Sequence, residues 1–148
     1  SQCLGILKGE HSLIEFPPIK APRTTGRLVG GNLTVLSTML GTALSPQPEL
    51  DGIWLLEDVG EAPYRIDRAF WQLVSAGIFK GASAIWVGDL GFDDPSIHAD
   101  VVEQLGEDAP CPVIPGAPIG HIGRLALVPF GVEMVVDFEM GRMRPASA

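Results

Sequence analysis

The side chains best suited to proton-transfer chemistry gather in "WLLEDVGEAPYRIDR", Trp54 to Arg68, where the apolar run Ile53-Trp54-Leu55-Leu56 ends in Glu57 and Asp58, with Glu61 three residues on. A histidine, His121, stands between "PVIPGAPIG" and "IGRLALVPFG". Proline stiffens that stretch and glycine frees it for unusual dihedrals, and loops on a rigid scaffold are where reactive side chains tend to lie. A carboxylate bonded to one imidazole nitrogen fixes the tautomer and stabilises the imidazolium, so the other nitrogen can take a proton from a nucleophile. Glu57 with His121 is the pair that fits this chemistry. On the residues alone the commoner readings stand beside it: a strand surfacing into solvent, and a packed loop histidine.

A metal reading is weaker, because the carboxylates and one histidine make no HExxH and bring no second imidazole. A glycosidase-type pair is disfavoured because Glu57 and Asp58, adjacent on a strand, point oppositely. No serine lies in GxSxG. Cys111 precedes a proline and a short strand, with nothing nearby to lower its pKa. His11 lies in the amino-terminal extended region, and His98 falls within a predicted helix, facing solvent or packing through its ring. The residues alone make a base and its orienter without a nucleophile.

The elements that must position them follow from the pattern. "HSLIEF" and "GRLVG" read as short extended pieces around the Pro-rich "PPIKAPRTT". Gly30-Gly31 reads as a turn, and Asn32 as the cap of a short helix carrying Leu33, Leu36 and Leu40, with Gly41 as its stop. "DGIWLLED" is a buried strand. Pro63 to about Phe79 is a helix with Ile66, Phe70, Leu73 and Val74 on one face. "ASAIWVGDL" is a second buried strand. "DPSIHADVVEQLG" is a helix started at Asp94 or Pro95 and stopped at Gly106. "CPVIPG" is a short strand. "GRLALVPFGVEMVVDFEMG" reads as two strands joined near Pro129-Phe130-Gly131, with Met134 and Val136 facing opposite to Val135 and Asp137. The expected class is α/β, with a mixed, twisted, barrel-like sheet and flanking helices.

The chain has 148 residues, enough for one domain with a real core. Ten Lys and Arg against 18 Asp and Glu give a net charge of −8, which opposes binding to phosphate backbones and anionic membranes. Mean hydropathy is +0.26, and no apolar run approaches the roughly 20 residues a membrane span needs. Cys3 and Cys111 form no CxxC pair, and two lone thiols fit a reducing compartment. The amino-terminal residues lack the pattern of a secretory signal. "GGN" and "GAPIGHIG" match neither a dinucleotide fingerprint nor a P-loop.

"GRLVGGNLTVL", "IWLLEDVGEAPYRIDR", "LVSAGIF", "VGDLGF" and "PGAPIGHIGRLALVPFGVEMVVD" together resemble the carboxy-terminal half of an LD-carboxypeptidase, from about Gly26 to Asp137. That family of serine peptidases includes muramoyltetrapeptide carboxypeptidases and the microcin C immunity protein. The resemblance implies hydrolysis of the amide bond before a terminal D-amino acid, releasing D-alanine from a peptidoglycan tetrapeptide, by a Ser-Glu-His triad without a cofactor. Glu57 falls on the family's glutamate and His121 on its histidine. The family's serine lies in a separate amino-terminal α/β domain, in a Gly-aromatic-Ser-Asp context that this sequence lacks.

Residues 1–148 are therefore expected to equal the carboxy-terminal domain, of swivelling β/β/α type, with 1–25 as connection or first strand. Alone it is expected to be inactive. Asp58, Glu61, Tyr64, Asp67 and Arg68 also match the family pattern. Glu61 and Tyr64 are candidates to line the substrate cleft, whereas Asp67 and Arg68 read as capping and surface charge. Asn32 caps a helix or shapes the interface. Trp54, Trp71 and Trp86 read as core or domain-contact residues. The expected partners are the serine-bearing domain, a peptide ending in a D-amino acid, and a second copy in a homodimer, in the cytoplasm. Alternatives are a non-catalytic binding or assembly domain, and hydrolysis of microcin-like peptide-nucleotides.

Overall fold

A computed structural model describes residues 13–120 and 126–147. Among the described residues seven strands and three helices follow in the order β1 (Ile14–Glu15), β2 (Thr24–Asn32), α1 (Leu33–Thr38), β3 (Ile53–Glu57), α2 (Pro63–Ser75), β4 (Ala84–Val87), α3 (Pro95–Asp108), β5 (Val113–Ile114), β6 (Glu133–Asp137) and β7 (Arg142–Pro145). They form one sheet in the order β1-β7-β6-β2-β3-β4-β5. The first half is antiparallel and the second half parallel.

The uninterrupted apolar runs of β3 and β4 arise because both faces of the parallel half are covered. Trp54 and Leu56, with Ile85 and Val87, face the helices and pack with Leu33, Ile66, Phe70, Leu73 and Phe79. Ile53 and Leu55, with Ala84 and Trp86, face the other way, onto Met134, Val136, Phe138 and Met143. The antiparallel half must therefore curl over the second face of the parallel half. Phe16, just past β1, reaches the Trp86 ring of β4 with centroids 4.7 Å apart. Among the described residues the ladder starts at β1 and ends at β5, a mixed sheet whose antiparallel half curls over the parallel half.

Local chemistry sets the element ends. Asn32 caps α1, its Oδ1 accepting from Val35 N at 2.9 Å, as the sequence leads one to expect. Pro63 opens α2. That helix stops at Ser75 rather than near Phe79. Gly77 takes φ +76°, and Ile78 N→Leu73 O with Gly77 N→Val74 O closes the end in a Schellman pair. Ile78 and Phe79 then turn back into the core. Asp94 caps α3 through Ser96 N at 2.9 Å. The Ser96 amide and hydroxyl hold the Asp94 carboxyl below the usual carboxylate range. The helix runs through Gly106 to Asp108, because Gly106 faces open space and the real stop is Ala109, pushed to ψ 140° ahead of Pro110.

Two further expectations are corrected. Gly30 and Gly31 form no turn; they extend β2 and pair with Leu55 and Leu56 of β3. A Cβ at Gly30 would lie 2.0 Å from Leu55 O, so the glycine lets the two backbones approach. The terminal hairpin also differs. Part of its expected first strand, residues 123–125, lies outside the described residues, and 126–129 are not strand. The "PFG" turn instead returns the chain to β2, through Gly131 N→Leu28 O at 2.7 Å and Leu28 N→Val132 O at 3.0 Å. The hairpin partner of β6 is β7. The two-residue alternation in β6 holds, with Met134 and Val136 fully buried.

At Gly30, Ala meets both a backbone clash and φ +131°; at Gly31 it meets only φ +148° in open space. Gly30→Ala should cost about 2–4 kcal/mol and Gly31→Ala about 1–2 kcal/mol in urea unfolding. Equal costs would show that β2 and β3 do not approach as closely as described.

Candidate functional site

β2 and β3 end side by side at Asn32 and Glu57, and β4 ends at Val87, opposite Leu56, to form a carboxyl edge. Open α/β sheets bind ligands outside the carboxyl ends of their strands. Glu57 is the last residue of β3, half-buried and opposite Asn32 in the register with β2. It follows Ile53 and Leu55 on the face away from the helices.

Asp58 turns the other way, as expected for its neighbour, but it is far from solvent. It is 2% exposed, the one buried charged residue among those described. Its Oδ2 accepts from Thr34 N at 2.8 Å. Its Oδ1 accepts from Val59 N at 2.8 Å and from Asn32 Nδ2 at 3.3 Å. Asn32 thus serves two ends: its oxygen caps α1 and its amide holds Asp58. In the sequence Asp58 matches the family pattern without a role of its own. Its parity with Leu56 carried the only signal, and that cannot say which helix start would face it.

From Asp58 a series of backbone hydrogen bonds runs across the edge. Asp58 N donates to Asp89 O at 3.0 Å, and Asp89 N donates to Ile119 O at 3.1 Å. Ala117 N donates to Val87 O at 2.9 Å, which anchors the stretch after β5 to the end of β4. Gly120 has φ +109°, and a Cβ there would lie 2.6 Å from Asp89 Cβ. That glycine, the residue before His121, is therefore seated against the edge two hydrogen-bonded steps from Asp58. His121 itself, like His11 and Cys3, lies outside the described residues.

Glu61 and Tyr64 come to the start of α2. Glu61 pairs with Arg65 at 3.3 Å, and the Tyr64 hydroxyl accepts from Arg65 Nε at 3.2 Å. The guanidinium beside it holds the Tyr64 phenol below its usual range. Arg68 lies 5.5 Å from the Tyr64 ring centre. With Thr34 and Ser37 these residues line an open groove of about 240 Å³ between α1 and α2. Trp54 and Trp86 are core residues, whereas Trp71 is 56% exposed. His98 packs through its ring, with Nε2 2.9 Å from Gly88 O at the end of β4. Among the described residues no group of three or more His, Cys, Asp or Glu is placed to hold a metal. No described helix is long and apolar enough to cross a membrane.

Burial pushes the Cys111 thiol up, away from thiolate character. In a Cys3→Ser variant, iodoacetamide should label Cys111 more slowly at pH 7 than it labels a free cysteine, with the rate still rising above the usual thiol pKa. Fast labelling at pH 7 would contradict that environment. Asn32→Ala removes the cap of α1 and one donor to Asp58, and should cost about 1–2 kcal/mol in chemical unfolding. A change below a few tenths would show that water replaces both bonds.

Comparison with known proteins bears on this edge. Residues 25–136 match the family model described as the LD-carboxypeptidase C-terminal domain. The murein tetrapeptide carboxypeptidase of Pseudomonas aeruginosa is 34% identical over 119 residues, covering 78% of this chain and 39% of that protein. The microcin C7 self-immunity protein of Escherichia coli is 26% identical over 121 residues, covering 79% of this chain and 35% of its own length. The crystal structure of muramoyltetrapeptide carboxypeptidase from Oxalobacter formigenes superposes with a TM-score of 0.80 at 26% identity, over 97% of this chain and 52% of that one. The chain thus spans about two-fifths of the length of these curated relatives. With the match running from the start of β2 to the end of β6, the chain belongs to the LD-carboxypeptidase C-terminal domain family.

Proposed function

We propose that this chain is the carboxy-terminal part of a serine LD-carboxypeptidase. It supplies Glu57 and His121 to a Ser-Glu-His triad that releases D-alanine from a peptidoglycan tetrapeptide. Family membership supports the reaction class. The relative from Pseudomonas aeruginosa is named a murein tetrapeptide carboxypeptidase, which favours the peptidoglycan substrate. The observation that carries the residue assignment is the position of Glu57. It is a half-buried carboxylate at the end of a strand covered on both faces, on the edge where the residues leading to His121 are anchored.

In this reading His121 takes the proton of a serine hydroxyl as the serine attacks the scissile carbonyl, then gives it to the departing amine of the D-amino acid. Glu57 orients the imidazole and stabilises its charged form. The serine and the oxyanion donors come from an amino-terminal domain, so the chain alone is inactive. Glu61 and Tyr64 contact substrate from the groove beside the edge. The homodimer and the cytoplasmic location belong to the same proposal and follow from the family likeness.

The test joins this chain to a serine-bearing domain and follows D-alanine release from tetrapeptide. Glu57→Ala and His121→Ala should each lower kcat by roughly 10² to 10⁴-fold. Full activity in the double variant would leave a non-catalytic assembly domain as the better reading.

A further inference from the structure

We infer that Asp58 is a positioning residue that sets where Glu57 stands relative to the 117–120 segment. The inference rests on the triad reading above and names a residue outside the triad.

The carboxylate of Asp58 is nearly sealed from water, and such a charge is stable only with enough donors. It has three, and they come from different places. Thr34 N belongs to the first turn of α1, Asn32 Nδ2 to the end of β2, and Val59 N to the β3–α2 connection. One side chain therefore ties the end of β3 to the end of β2 and to the start of a helix. Its own backbone N–H reaches across to Asp89 O, and Asp89 N–H reaches Ile119 O. Helix, three strand ends and loop are thus joined through one residue. Glu57 is the residue immediately before it, held in the β2 register opposite Asn32.

Rotation of this strand end would swing the Glu57 carboxylate while leaving the core below unchanged. Asp58 blocks that rotation from the helix side. A carboxylate acting on an imidazole needs placement to within a fraction of an ångström, and a 1 Å misplacement can cost on the order of 10²-fold in rate. Side chains that orient a ligating or reacting group through hydrogen bonds typically matter by about 10–100-fold. Asp58 touches neither substrate nor imidazole in this account; it acts through Glu57.

The experiment uses the protein carrying both the serine-bearing domain and this one, with kinetics on tetrapeptide at a temperature where circular dichroism shows every variant folded. Asp58→Ala should lower kcat by about 10–100-fold while KM stays within about twofold. A structural role alone would lower the melting temperature and leave kcat per folded molecule unchanged, and that result overturns the inference. If Asp58→Ala does not fold, the near-isosteric Asp58→Asn decides. It keeps one acceptor but sets an NH₂ against a backbone donor, so a loss of threefold or more in kcat at constant KM supports the inference, and wild-type kcat overturns it. Glu57→Gln is the control that separates the two claims. An inactive Glu57→Gln with a fully active Asp58→Ala removes only the positioning role. A fully active Glu57→Gln removes both that role and the triad.

Discussion

A carboxylate kept almost wholly out of water is the constraint on which the arrangement of this edge depends. Leu55, Leu56, Trp86 and Val87 are packed on both sides, so β3 and β4 have no room for a polar side chain until they end. At that point the chain presents Glu57 and Asp58 in succession. Strand alternation sends them to opposite faces, and the two faces differ. On the helix side, the open N–H groups of α1 and the Asn32 amide are ready for a negative charge. On the other side lies the approach of the 117–120 segment. The same two-residue unit therefore fixes the scaffold with one carboxylate and sets the other, Glu57, on the opposite face.

The curl of the sheet makes this possible. An ordinary parallel sheet is covered by helices on both faces, and its edge is then open on each side. Here the second cover is the antiparallel half of the same sheet, seated on Trp86 through Phe16 and Phe138. Long β2 joins the halves, antiparallel to β6 at its start and parallel to β3 at its end. Gly30 allows close contact where β2 meets β3. Packing below thus seats the strands, and the hydrogen bonds of Asp58 hold their carboxyl ends.

Much of this was legible in the sequence, for reasons that can be named. β3 and β4 announced themselves as unbroken apolar runs because both faces are buried. α2 showed its stripe and its proline start, and Asn32 and Asp94 showed their caps. What failed was non-local. Gly30-Gly31 looks like a turn unless one knows that Leu55 O will lie against it. Gly106 looks like a helix stop unless one sees that nothing packs there and that Pro110 supplies the stop. β7 has the sequence Arg-Met-Arg-Pro, with one buried side chain, Met143, and so carries too little periodicity to be read. At the site, Glu57 and His121 were chosen by residue type, context and family likeness. Asp58 was undervalued because burial of a charge depends on donors from two other elements, and no local pattern encodes that.

The proposed triad requires a bond between the carboxylate at the end of β3 and the imidazole that follows Gly120. The most direct measurement is the NMR pH titration of the His121 ring in the native chain and in Glu57→Gln. A bonded carboxylate favours the charged ring, so the midpoint should fall when the charge at position 57 is removed. Superimposable titration curves would mean that the two groups do not meet and that Glu57 is no part of a triad with His121.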